Sequence, residues 1–548
     1  MSDAYDYPLI LRQLLHSTLS TNAGQEIIYP GVMRYTYADW FRRLQRLANA
    51  FHGLGLGRGN VIAVMDWDSH RYFECFFGIP MIGATLHTVN VRLSPDQVLY
   101  TINHAEDDAI LVHEDFLPLL AAIAPRITRP VRLILLSDRK GALPQVEGLS
   151  FAGEYEAMLE AAAPDFTFPD FDEGTRATLF YTTGTTGDPK GVSYSHRQIV
   201  LHSLGLVAAL GAVPGQGGVN RADVYMPITP LFHVHAWGFP FTATMLGLKQ
   251  VYPGRYEPGR LLKLIGDYGV TLSHCVPTIL NMLLSAPGSE DVDLSRWKVI
   301  IGGSALPRGL AAAALKRGID VQSGYGMSET CPILTISDMT EAQLAEDDAI
   351  DTRIATGRAV PMVELRVVDH EMRDMPRGSK ATGEVVVRAP WLTEGYLKNP
   401  EGTASLWRGG YLHTGDVGYL EADGTLHITD RIKDVIKSGG EWISSLDLEN
   451  LVSLAEGVAE VAAIGLPDAK WGERPCFVIA LKPGADPRAV EAAVRHVVAD
   501  AISQGHLSSW AAPDRVEFVD ALPKTSVGKL DKKAMRAAYA APSAVTSG

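Results

Sequence analysis

Tyr181-Thr182-Thr183-Gly184-Thr185-Thr186-Gly187-Asp188-Pro189-Lys190-Gly191 is the stretch on which the reading of this chain turns. Its two inner glycines, Gly184 and Gly187, let backbone approach an anion closely, the threonine hydroxyls and loop amides donate to phosphate oxygens, and Lys190 adds a point charge. The order is not the strand–GxxxxGK[ST]–helix loop. No Ser or Thr follows Lys190, and Val192-Ser193-Tyr194-Ser195 reads as strand, as does Thr178-Leu179-Phe180-Tyr181 before the loop. The spacing predicts a polyphosphate grip slung between two strands.

Outward from this loop, residues 177–325 alternate strand-like and helical segments. Leu261, Leu262, Leu264 and Ile265 suit a helix; 270–273 and 297–301 read as strands, the second ending in Gly302-Gly303. Such alternation predicts layered, mostly parallel sheet with crossover helices and ligands at the strands' carboxyl ends. Nearer the N-terminus, Thr36 is placed to cap a helix with Trp40, Leu44, Leu47 and Phe51 on one face, ended by Gly53, before a buried strand over 61–65. The glycines at 53, 55, 57 and 59 miss the dinucleotide spacing and follow a helix, so they read as a helix-to-strand turn.

After Thr352 the period becomes two, at 363–368 and 383–388, with a hairpin turn at Ala422-Asp423-Gly424. This predicts a small antiparallel, β-barrel-like unit over about 352–430 inside a large N-terminal domain, 1–430. A smaller, mobile α+β domain is expected over 431–548, with helices at 447–454, 486–499 and near Lys532, and a strand at 476–481. The fold class is α/β.

The composition excludes several classes. A chain of 548 residues needs more than one core, and 46% hydrophobic with 20% charged residues excludes intrinsic disorder. A net charge of −14 gives no electrostatic reason to bind nucleic acid. Cys75, Cys275, Cys331 and Cys476 form no C-x-x-C pair, which argues against disulfides or structural zinc and for the cytoplasm. The acidic N-terminus lacks a signal pattern. The most apolar run, 199–213, is too short to span a bilayer and contains His202 and Ser203, so no integral membrane association is expected.

The 181–191 loop closely resembles the phosphate-binding signature of the adenylate-forming superfamily, which includes acyl-CoA synthetases, peptide-synthetase adenylation domains and firefly luciferase. The likeness covers nearly the whole chain. It is nearest to the medium- and long-chain fatty-acid CoA ligases through Asn103-His104-Ala105-Glu106, Phe232-His233-Val234-His235-Ala236-Trp237-Gly238 and Lys437-Ser438-Gly439-Gly440-Glu441-Trp442-Ile443-Ser444. His235 stands where that subgroup more often has Asn.

This resemblance implies an ATP-dependent acyl-CoA ligase acting through an acyl-adenylate, with ATP, Mg²⁺ and coenzyme A as its cofactors and a homodimer as a frequent assembly. Thr182, Thr183, Gly184, Thr185, Thr186, Gly187 and Lys190 would hold the phosphates. Gly302, Ser304, Gly324, Tyr325, Gly326, Met327 and Ser328 would wall the nucleotide, Tyr325 stacking on adenine. Asp416 and Arg431 would take the ribose, with Ile428 beside them. Thr185 and Glu329 would be the Mg²⁺ ligands. Lys529, in Pro523-Lys524-Thr525-Ser526-Val527-Gly528-Lys529, would stabilise charge on the carboxylate and α-phosphate; Thr185, His233 and Glu329 join it as catalytic residues. His233, Trp237, Gly302 and Gly326 would face the acid. Lys433 would be the hinge, and Lys437, Gly439, Gly440, Glu441 and Trp442 would line the pantetheine path.

Three rival expectations stay open: an enzyme loading a carrier protein, one performing a single half-reaction on a specialised-metabolite acid, and a non-catalytic acyl-nucleotide sensor. The S-x-x-K at 526–529 lacks its K-T-G and S-D-N companions, and His233-Val234-His235 has no nearby carboxylate or thiol to suggest a metal.

Overall fold

The computed structural model describes residues 4–139, 143–182, 188–212, 218–339, 343, 349–439, 441–525 and 529–540. Among them the strands form four sheets. The first runs, in spatial order, Phe151–Glu154, Arg132–Leu136, Ala109–His113, Val61–Met65, Thr85–Thr88, Arg176–Thr182 and Lys190–Ser195. It is parallel except for the last pair. The strands Val61–Met65 and Ala109–His113 are buried throughout, which is why 61–65 reads as an unbroken apolar run.

The second sheet has a parallel centre of Asp320–Gly326, Lys298–Ile301, Leu272–Cys275, Val224–Tyr225, Lys249–Val251 and Glu26–Tyr29, with antiparallel strands at both edges. The strand expected at 270–273 begins at Leu272. Gly269 adopts the left-handed conformation that ends the helix Pro258–Tyr268, and the Val270 N–H is spent on the Ile265 carbonyl. Chain used to close the helix cannot join the ladder.

The helix His70–Met81 is buried at every residue. Against it lies the helix Tyr37–Gly53, opened by a capping box between Thr36 and Asp39 and burying Trp40, Leu44, Leu47 and Phe51 as its spacing predicts. Gly78 sets the approach: a Cβ there would stand 2.6 Å from Leu47 Cδ2. Trp40 stacks on Phe73 and Phe73 on Tyr252, tying helices and second sheet into one core. Each such side chain contributes roughly 1.5–3 kcal/mol by burial.

The third sheet is antiparallel: Glu364–Val368, Gly383–Arg388, Tyr411–Leu420 and Trp407–Arg408, with Leu426–Arg431 pairing along Tyr411–Leu420 through the 422–424 turn. The fourth comprises Glu441–Ile443, Ile436–Ser438, Gly472–Leu481 and Val458–Asp468, plus Arg515–Val519. Helices Ser445–Val452, Pro487–Ser503 and Lys532–Tyr539 accompany it. The first of these starts earlier than 447 because the Ser444 hydroxyl caps it by accepting from the Asp447 N–H. Large, layered parallel sheets, a small antiparallel unit and a smaller α+β region thus follow the expected fold class. Among the described residues no helix is long and apolar enough to cross a membrane.

Candidate functional site

Thr182 and Lys190 pair directly across the antiparallel strands Arg176–Thr182 and Lys190–Ser195. The chain therefore leaves one strand and re-enters the next at the same level, as the loop reading requires. Thr183, Gly184, Thr185, Thr186 and Gly187 lie outside the described residues. So does Gly440.

From that level a cavity of about 1290 Å³ opens between the lobes. Its lining includes Thr182, Lys190, His233, Ser304, Tyr325, Glu329, Asp416, Ile428, Arg431, Lys433 and Lys529, with Gly324, Gly326, Met327 and Ser328 along the same wall. Thr182 and Lys529, 347 positions apart in sequence, meet here. The lining also brings in Lys380, Lys532, Lys533 and Arg536, and carboxylates balance the cations: Arg431 pairs with Asp416, Lys532 with Glu449 and Arg536 with Asp434.

Three clusters organise the cavity. In the first, the Tyr325 hydroxyl donates to Asp416 Oδ2 at 2.7 Å, and Arg431 Nε stands 2.9 Å from Oδ1. Asp416 and Arg431 face each other in strand register, so the hairpin at 422–424 is what delivers the pair. Burial and the neighbouring Asp416 push the Tyr325 phenol above its ordinary value.

In the second, Lys190 Nζ lies 4.6 Å from the centroid of the Tyr396 ring, and the Tyr396 hydroxyl donates to Glu329 Oε1 at 2.6 Å. The Tyr194 hydroxyl holds the Ser328 carbonyl at 2.6 Å. Tyr396 and Tyr194 thus brace the cation and the carboxylate, and sequence reasoning passed over both. A tyrosine in the irregular 392–399 stretch carries no periodic or spacing signal.

The third is Lys529. Gly303 has φ +80°, and a Cβ there would stand 3.0 Å from Lys529 Cε and 3.6 Å from its Nζ. The final-region lysine therefore reaches the turn after the strand Lys298–Ile301. Burial, then the nearby Arg431, lower its pKa to about 8, while Asp416 and Glu329 pull the other way. His233 lies close by: burial, with Lys529 and Arg92 nearby, holds its imidazole at about 3, so it is neutral.

Trp237 is buried against Gly302. A Cβ on Gly302 would come within 2.9 Å of the Gly324 carbonyl and 3.1 Å of Trp237 Cη2, and one on Gly326 would overlap the Pro332 carbonyl at 1.8 Å. The wall is made from glycines because two backbones and an indole pass there. Val234, His235, Ala236 and Trp237 all have positive φ, 48–58°, forming a left-handed turn closed by Gly238. At roughly 1–2 kcal/mol per non-glycine residue, its conformation is costly and is held by packing. Of the residues expected to face the acid, His233 and Gly326 line the cavity, whereas Gly302 and Trp237 pack against each other outside its lining. His235 is enclosed by Phe76, Phe180, Tyr194 and Phe241.

Lys437, Gly439 and Glu441 are not among the residues that line the cavity. Lys437 and Trp442 pair across a hairpin, the Lys437 N–H donates to Glu473 at 2.9 Å, and Gly439, at φ +61°, sits where a Cβ would meet the Trp510 ring at 2.6 Å. Among the described residues no three His, Cys, Asp or Glu side chains converge as a metal cluster.

A two-lobed α/β protein with a nucleotide-sized cavity, lined by paired cations and carboxylates, between its lobes is what fold and site define together. The chain belongs to the AMP-binding enzyme family: residues 18–397 match it, and 447–529 match the AMP-binding enzyme C-terminal domain. It is 39% identical to a long-chain-fatty-acid–CoA ligase of Thermus thermophilus, over 93% of this chain and 91% of that one. It is 37% identical to a 3-methylmercaptopropionyl-CoA ligase of Ruegeria lacuscaerulensis, over 96% and 97%. Its fold matches the anthranilate CoA ligase AuaEII in complex with anthranoyl-AMP, with TM-score 0.85, 24% identity and coverage of 97% and 98%.

Proposed function

We propose that this chain is an ATP-dependent acid–thiol ligase that joins a carboxylic acid to AMP and then passes the acyl group to coenzyme A. One observation carries the reading: Lys190 from the first sheet and Lys529 from the last region line one cavity with Tyr325, Glu329, Asp416 and Arg431.

A carboxylate is a poor electrophile at neutral pH. Its oxygen attacks the α-phosphorus of ATP, the bond to pyrophosphate breaks, and the acyl-AMP anhydride carries AMP as a leaving group. Tyr325, Asp416 and Arg431 would fix adenosine, Lys190 the β- and γ-phosphates, and Lys529 the charge building between carboxylate and α-phosphate. The neutral imidazole of His233 lies beside Lys529 without adding a competing charge. The donor set fits Mg²⁺: a single carboxylate, Glu329, held by Tyr396, with nucleotide oxygens and water to complete six ligands, Thr185 being a further candidate. Mg²⁺ bound there would neutralise phosphate charge.

In the second step the CoA sulfur attacks the acyl carbon and AMP leaves. We assign the Lys437–Trp442 hairpin to this step, with the small lobe turning about Lys433 so that the hairpin replaces Lys529. Relatives named for long-chain fatty acid and for 3-methylmercaptopropionyl-CoA put an unbranched apolar acid first. The described cysteines are all unpaired, in keeping with a cytoplasmic site of action.

The test is acid-dependent exchange of pyrophosphate into ATP over acids of graded chain length, followed by AMP release with and without CoA. Exchange together with CoA-dependent AMP release is expected. ADP as product would refute the scheme, and turnover only with a phosphopantetheinyl protein would assign a carrier-loading enzyme.

A further inference from the structure

Asp68 lies outside the cavity and outside the resemblance, yet it touches the loop that bears His233. It follows the strand Val61–Met65 of the first sheet and is almost wholly buried, 3% exposed. Its Oδ1 accepts the Leu231 N–H at 3.0 Å, and its Oδ2 accepts the Tyr256 hydroxyl at 2.5 Å. Its own carbonyl accepts the Gly254 N–H at 2.9 Å. Leu231 follows the strand Val224–Tyr225 and Tyr256 follows Lys249–Val251, both of the second sheet. A single carboxylate therefore bridges the carboxyl ends of both large sheets.

The bridge is made beside the acid-facing loop. Leu231 precedes Phe232, whose carbonyl accepts the Thr88 hydroxyl at 3.1 Å. Arg92 Cζ stands 5.8 Å from the centroids of both the Phe232 and Tyr256 rings. From there the chain enters the left-handed turn Val234–Trp237. That turn is intrinsically unfavourable, so its position depends on how its entry is held. The entry is pinned by Asp68 at the Leu231 N–H and by Thr88 at the Phe232 carbonyl.

We propose that Asp68 is a positioning residue for acid binding: by holding the Leu231 N–H and the Tyr256 hydroxyl together, it fixes where His233 and Trp237 stand relative to the nucleotide. A carboxylate suits this role because both oxygens accept and neither needs a donor partner. This inference rests on reading the 232–238 loop as acid-facing.

The experiment compares Asp68→Ala, Asp68→Asn and Tyr256→Phe with the parent enzyme in pyrophosphate exchange, using octanoate, dodecanoate and 3-methylmercaptopropionate. Asp68→Ala loses both bonds, and KM for the acid should rise about tenfold or more, as for two lost buried hydrogen bonds. Asp68→Asn retains an acceptor for Leu231, and Tyr256→Phe loses one partner; each should raise it by only about threefold. KM for ATP should stay within about twofold in all three, which separates positioning from general loss of fold. Acid KM unchanged in the three variants, or acid and ATP KM moving by the same factor, overturns the proposal. If Asp68→Ala fails to fold, the other two variants decide. If the parent exchanges none of these acids, the ligase reading is what fails. Crystal structures of Asp68→Asn and Tyr256→Phe then judge Asp68: Leu231–Trp237 backbone within about 0.5 Å of the parent in both would overturn its role, and a larger displacement would support it.

Discussion

Removing the charge of Lys529 should slow adenylation by about a hundred- to a thousandfold, the range for losing one preorganised donor to a transition state, about 3–4 kcal/mol. The structure also sets its pH dependence. Burial and Arg431 bring the ammonium to about 8 in the ligand-free protein. Only the protonated form carries the charge, so the active fraction is about 90% at pH 7 and about 10% at pH 9. Activity therefore falls as pH rises, with kcat/KM for ATP dropping about tenfold for each pH unit above 8. In the ternary complex the triphosphate adds negative charge beside the ammonium, so the same limb in kcat should lie higher. The assay is pyrophosphate exchange from pH 6.5 to 9.5 for the parent and Lys529→Ala. The variant should lose both the rate and the limb. A variant within about tenfold of the parent, or one with the same limb, would refute the role given to this lysine.

Three further outcomes follow from the geometry. Asp416→Ala strands the Tyr325 hydroxyl and Arg431, and should raise KM for ATP about tenfold while leaving KM for the acid within about threefold, measured by exchange. Gly302→Ala places a methyl 2.9 Å from the Gly324 carbonyl and 3.1 Å from Trp237, so it should cost about 1–3 kcal/mol of stability by thermal melting and weaken acid binding. Gly439→Ala meets Trp510 at 2.6 Å with φ +61°; it should slow CoA-dependent AMP release about tenfold or more while exchange stays within about threefold, and equal loss in both assays would contradict the assignment.

Much of this was legible because the chemistry leaves marks at short range. The Thr- and Gly-rich loop announced its flanking strands, and Thr178–Tyr181 and Val192–Ser195 lie in an antiparallel pair that returns the chain at Lys190. Thr36 and the Trp40–Phe51 spacing were readable because a helix repeats every 3.6 residues. Tyr396, Tyr194 and Asp68 were not readable, since each acts through a contact more than sixty positions away. Tyr396 and Asp68 lie in loops with no period to betray them, and the strand Lys190–Ser195 marks Tyr194 as buried without naming its partner. The left-handed turn was equally silent: Val234-His235-Ala236-Trp237 contains no Gly, Asn or Asp and begins with a β-branched residue, and tertiary packing overrides the local preference.

That turn has a bearing on how the protein matures. A free peptide spanning 230–238 would abandon the left-handed form, and so would a chain in which only one large sheet had assembled, because its clamps come from both. The wall that His233 adds to the cavity is then set only once both large sheets have come together, so strands and helices alone do not complete it.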